Sequence, residues 1–145
     1  MKNHKLIRNV TLVTEGRSFE SDLLLKDGRI QRIDKDISHP EAEIIDVNGK
    51  LLIPGCIDDQ VHFRDPGLTH KADIHTESSA ALAGGVTSFM DMPNTIPNAL
   101  TPEILEEKYK IASQKSMANF SFYMGVSNDN LEHVLRVNYE KVCGI

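Results

Sequence analysis

Leu51-Leu52-Ile53-Pro54-Gly55-Cys56-Ile57-Asp58-Asp59-Gln60-Val61-His62-Phe63-Arg64-Asp65-Pro66-Gly67 is the stretch on which the reading of this chain turns. It begins apolar and ends polar, as a buried parallel strand does when its carboxyl end opens onto a site. Side chains alternate along a strand, so residues 58, 60, 62 and 64 share one face if the strand runs that far. Asp58, Gln60, His62 and Arg64 would then present a carboxylate, an amide, an imidazole and a guanidinium together. The carboxyl-terminal rim is where parallel barrels and open α/β sheets place their ligands. A structural reading stands beside this one, and spacing alone favours it. Asp58 and Asp59 could cap a turn or pair with Arg64, and a lone histidine is more often a surface or ion-paired residue than a metal ligand.

Downstream, strand and helix alternate. Asp73 is a helix N-cap candidate, and Gly84-Gly85 supplies the stop after Ala80, Ala81 and Leu82. Val86 to Met92 reads as a strand. Thr101 followed by Pro102 announces a second helix, whose Ile104, Leu105, Ile111 and Ala112 fall on one face. Asn119 to Val126 alternates as a third strand, a short helix follows from about Asp129, and Val142-Cys143-Gly144-Ile145 begins a fourth strand. Three alternations after residue 55 are the signature of βα units in a parallel sheet. The second strand ends in Asp91-Met92-Pro93-Asn94-Thr95. If neighbouring strands stand in similar register, Asn94 shares the rim with His62 and Arg64. A guanidinium fork beside an amide suits a small carboxylate or imide. Locally, a Pro-Asn turn leaving the strand is the simpler account.

Upstream, Lys5 to Thr14, Asp22 to Lys26, Arg29 to Ile33 and Glu43 to Val47 read as strands. Asp27-Gly28 between two of them is a strong hairpin signal, because both residues must take positive φ. The expected organisation is a small antiparallel β unit over residues 1–54 and the βα units over 55–145.

The 145 residues carry a net charge of −5, with 40% hydrophobic and 26% charged side chains, which describes an ordinary globular chain. The basic residues are scattered, which argues against a nucleic-acid partner. No apolar run approaches the roughly 18 residues of a membrane span, and no secretory leader is read at the amino terminus. Cys56 and Cys143 stand far apart in no metal-type spacing, so reduced thiols in the cytoplasm are expected. His4, His39, His70, His75 and His133 show no ligand spacing, and Gly84-Gly85 lacks the pattern of a nucleotide loop.

Taken in order, Ile57 to Gly67, Ala83-Gly84-Gly85-Val86-Thr87 and Met92-Pro93-Asn94-Thr95 resemble the amino-terminal part of a dihydroorotase of the amidohydrolase superfamily. The resemblance implies an α/β fold: the first part of a (β/α)₈ barrel preceded by a small β unit, the barrel typically needing about 250 residues. The chain is therefore expected to be a fragment, inactive alone. The implied activity is zinc-dependent interconversion of N-carbamoyl-L-aspartate and dihydroorotate in pyrimidine biosynthesis, with a zinc-activated water attacking the ring amide carbonyl. His62 matches the second histidine of the family's His-x-His zinc motif, and Gln60 stands where the first would be. An amide oxygen is a weaker zinc ligand than imidazole, so one or two zinc ions are expected in the full-length protein. Arg64 and Asn94 match residues that hold the substrate carboxylate. The remaining ligands and the acid/base aspartate fall beyond residue 145 in the family, so no catalytic residue is assigned here. A non-catalytic scaffold paired with a transcarbamoylase, a homo-oligomer, and an allantoinase-like or dihydropyrimidinase-like hydrolase of another cyclic ureide remain alternatives.

Overall fold

The computed structural model describes residues 4–145, and the chain divides into two compact units at the Pro54–Gly55 step. The first contains β1 (His4–Thr14), β2 (Arg17–Lys26), β3 (Arg29–Asp34), β4 (Glu43–Asp46) and β5 (Leu51–Leu52). β1, β2 and β3 form an antiparallel meander. Asp27 and Gly28 turn β2 into β3 with φ of 50° and 75°, the left-handed pair that a tight hairpin requires. An earlier hairpin at Glu15-Gly16 starts β2 at Arg17, five residues before the apolar run that marks it in the sequence. The expected antiparallel unit needs one correction, because β4 and β5 both pair with β1 in parallel. Residues 35–42 carry the chain back across the sheet, so β4 enters in the direction of β1. Leu6, Leu24, Ile37 and Ala42 make the small core.

The second unit holds β6 (Cys56–Val61), α1 (Ile74–Ala83), β7 (Val86–Asp91), α2 (Pro102–Lys115), β8 (Asn119–Phe122) and α3 (Leu131–Arg136). The three strands are parallel and ordered β6-β7-β8, so each helix carries the chain to the next strand without reversing direction across the sheet. The Asp73 carboxylate caps α1 by accepting from the Thr76 amide at 2.8 Å, and the Thr76 hydroxyl accepts in turn from the Asp73 amide. Thr101 caps α2 at the Ile104 amide, with Pro102 in the first turn.

The core gathers Phe63, Ile74, Phe89, Leu105, Phe122 and Met124 among others. Leu105 and Ala112 are buried, with Ile104 and Ile111 packed partly against the same cluster, so the apolar face of α2 lies where its periodicity puts it. Lys108 sits inside that face, fully buried.

The third strand is shorter than its alternation suggests, ending at Phe122. Beyond it the expected fourth strand makes a single parallel bridge, Tyr123 to Gly144. The Tyr123 hydroxyl donates to the Asp59 carbonyl at 3.0 Å, reaching past β7 to β6. α3 begins at Leu131, and its N-cap Asn130 makes no side-chain cap bond, donating instead to the carbonyls of Leu100 and Gly125 at 2.9 Å each.

Two stability outcomes follow from the caps. Thr101→Ala is expected to cost about 1 kcal/mol in urea unfolding. The Thr76 amide and hydroxyl hold the Asp73 carboxylate below its ordinary pKa of 3.8, and the Asn48 amide and Asn9 side chain do the same for Asp46. A depressed folded pKa adds stability that is complete above the ordinary value and is lost as pH falls through the folded one. On the acid side the urea midpoint is expected to decline below about pH 4, and Asp73→Asn to flatten that decline.

Candidate active site

β6 stops at Val61, so Gln60 is the last of the alternating set still on the strand. His62, Phe63 and Arg64 lie beyond it. The Phe63 ring turns into the core against Phe89, centroids 4.4 Å apart, while its amide donates to Asp91 Oδ1 at 2.9 Å. Asp91 is the last residue of β7 and is fully buried. Its other oxygen accepts from Lys108 Nζ at 2.9 Å. Lys108 also donates to the Met92 carbonyl at 3.0 Å and lies 4.7 Å from the centre of the Phe122 ring. Burial pushes the Lys108 pKa down and the Asp91 charge opposes it.

Arg64 has φ of 67°. That is a left-handed conformation unusual for a side chain of this size, so residues 58, 60, 62 and 64 do not continue as one strand face. The expectation of a shared face holds only as far as Gln60. Asp58 does not pair with Arg64; its carboxylate accepts from the Gln60 amide at 3.1 Å. Asp65, also buried, receives Lys115 Nζ at 2.7 Å, and that hydrogen bond holds the Lys115 pKa above its ordinary range. The Leu68 amide closes the turn onto the Arg64 carbonyl at 3.0 Å. Gly67, at φ 84°, packs directly on the Ile96 backbone, and the Ile96 amide donates to the Pro66 carbonyl at 3.1 Å. The loops following β6 and β7 are thereby interlocked.

That interlock brings His62 to Asn94, Nδ1 to Oδ1 at 2.9 Å. An amide oxygen only accepts, so His62 Nδ1 is the donor in this contact. Gln60 and Asn94 both line an open cavity of about 510 Å³, with Asn98, Tyr123 and Met92 around it. His62 and Arg64 lie outside that lining, and among the described residues the Arg64 guanidinium has no hydrogen-bond partner. The structure therefore joins His62 to Asn94, sets Gln60 in the same cavity wall as Asn94, and leaves Arg64 out of both contacts.

Zinc takes three or four protein ligands. Among the described residues no three His, Cys, Asp or Glu side chains converge, and one imidazole with one amide does not by itself complete such a centre. No chemical step through a metal is assigned to this chain. Four of the other five histidines make contacts elsewhere: His4 stacks on His39 at 4.4 Å, His75 meets the Lys115 carbonyl, and His133 meets Arg136. Cys56 and Cys143 are both free.

Sequence reasoning missed Asp91, Lys108 and the Asp65–Lys115 pair. One signal was present, since Lys108 stands three residues after Leu105 and four before Ala112, within the apolar stripe of α2.

Comparison with known proteins bears on the family and the fold. Residues 49–132 match the family model described as dihydro-orotase-like. A dihydroorotase of Carboxydothermus hydrogenoformans is 50% identical over 105 residues, covering 70% of this chain and 24% of the relative. An allantoinase of Deinococcus radiodurans is 38% identical over 130 residues, covering 89% and 29%. Among solved structures, the L-hydantoinase (dihydropyrimidinase) of Arthrobacter aurescens superposes with a TM-score of 0.85 at 33% identity, over 96% of this chain and 31% of its own. The chain thus spans about a quarter to a third of the length of these relatives. Its fold is that of the first part of a (β/α)₈ amidohydrolase barrel with a small β unit before it.

Because a Cβ at Gly67 would overlap the Ile96 carbonyl and force a left-handed alanine, Gly67→Ala is expected to destabilise by about 2 kcal/mol or more. Thermal unfolding checks this.

Proposed function

This chain belongs to the dihydro-orotase-like family, and we propose that the whole protein is a zinc-dependent cyclic amidohydrolase interconverting N-carbamoyl-L-aspartate and dihydroorotate. The observation that carries the proposal is the His62–Asn94 contact, joining the ends of two successive barrel strands at 2.9 Å with Arg64 two residues on. With its oxygen held by His62, Asn94 has both amide hydrogens left to donate. Arg64, two residues after His62 in the chain, would add a two-pronged cation. Donors of that kind match a carboxylate, and dihydroorotate carries one where hydantoin and allantoin rings carry none.

In this reading Arg64 and Asn94 hold the substrate carboxylate and orient the ring over the cavity. His62 would be this chain's imidazole contribution to a zinc centre, with Gln60 as a weaker donor. Cytoplasmic location is part of the proposal, in keeping with two free cysteines. Among the described residues no helix is long and apolar enough to cross a membrane.

Kinetics of the full-length protein test the proposal. Wild type is expected to hydrolyse dihydroorotate, and Arg64→Met to lower kcat/KM for it about 100-fold while sparing a carboxylate-free ring such as dihydrouracil. Turnover of the carboxylate-free ring alone, indifferent to Arg64→Met, would make the protein a hydantoinase-type enzyme instead. Metal analysis should find about one or two zinc ions per subunit, lost together with activity on chelation. A metal-free protein without turnover would point to the scaffold reading. The 145-residue chain by itself is expected to be inert.

A further inference from the structure

We propose that α2 is the positioning element of the anion clamp: Lys108 and Lys115 hold, through Asp91 and Asp65, the backbone on both sides of Arg64. The inference rests on the reading of Arg64 as a carboxylate-binding residue. The two lysines are seven residues apart, two helical turns, so they project from nearly the same face of α2. Lys108 reaches Asp91 at 2.9 Å, and Asp91 holds the Phe63 amide at 2.9 Å, immediately before Arg64. Lys115 reaches Asp65 at 2.7 Å, immediately after it. Between these two fixed points Arg64 is kept at φ 67°. A non-glycine residue persists in that region only where its surroundings over-determine it, and here both neighbours are anchored to one rigid helix.

A purely stabilising role accounts for less of the geometry. Buried ion pairs are weak contributors to net stability, because desolvation offsets much of the attraction. Asp91 divides its two oxygens between Lys108 and a backbone amide of the rim, an arrangement that transmits position. A chemical role for Lys108 is equally unsuited. Its ammonium already meets Asp91, the Met92 carbonyl and the Phe122 ring, and it is sealed from solvent. Lys108 and Lys115 therefore act through Arg64 as positioning residues.

The test is a double-mutant cycle in the full-length protein. Lys115→Met, checked for folding by thermal unfolding and backed by Asp65→Asn/Lys115→Met, in which no buried carboxylate is left without its cation, is the variant measured. It is expected to raise KM for dihydroorotate about tenfold with kcat changed less than about twofold, and Lys115→Arg to restore it. In an Arg64→Met background the same change should move KM less than about twofold, since its effect passes through the missing guanidinium. Lys108→Met should repeat the pattern where it folds. Equal effects of Lys115→Met in both backgrounds, or equal effects on dihydroorotate and dihydrouracil, would overturn the proposal. If wild type turns over no dihydroorotate, the substrate reading fails by itself. Crystal structures of wild type and Lys115→Met then decide the brace: Arg64 leaving the left-handed region in the variant supports it, and an unmoved Arg64 refutes it.

Discussion

The Asp91 carboxylate is held away from water between a backbone amide and an ammonium, and most of the rim inherits its position from that arrangement. A buried carboxylate without a cation would be far too costly to keep charged. Lys108 therefore has to be on α2, and α2 has to dock with that face inward. Once docked, the helix fixes β7 through Met92, packs on β8 through Phe122, and fixes the start of the β6 loop through Phe63. One charged contact thus places the ends of adjacent strands relative to one another. The hydrophobic effect supplies the attraction among Phe63, Phe89, Leu105 and Phe122, but it is non-directional and sets no such register.

Much of this was legible in the sequence. Asp73, Thr101 and Pro102 announced two helix starts, and Asp27-Gly28 announced a hairpin, because each depends on chemistry local to a few residues. The apolar face of α2 followed from periodicity in the same way. What escaped was non-local. The parallel entry of β4 and β5 depends on where a connection lands, which no local pattern encodes. The Arg64 kink escaped for the opposite reason: alternation was extended through residues whose backbone had already left the strand.

The candidate site divides along the same line. His62, Arg64 and Asn94 were conspicuous as residue types at strand ends, and the fold brings His62 to Asn94. The residues that hold them were not conspicuous. An aspartate at the end of a strand and a lysine in a helix are ordinary in a one-dimensional reading. Their meaning appears only when residues 17 and 50 positions apart are found in contact, as Lys108 with Asp91 and Lys115 with Asp65 are. Chemistry at a rim is carried by side-chain identity, whereas its aim is carried by packing.

The Tyr123 hydroxyl, resting on the Asp59 carbonyl, has a geometric meaning of its own. Flat neighbouring strands lie about 4.8 Å apart, which would put β6 and β8 nearly 10 Å from each other. A tyrosine side chain and one hydrogen bond are together long enough to cover that gap, so Tyr123 ties the two outer strands directly, over the end of β7. The tie crosses the same rim on which Gln60 and Asn94 stand, so a wall of three strands is laced at its open end as well as along its ladders.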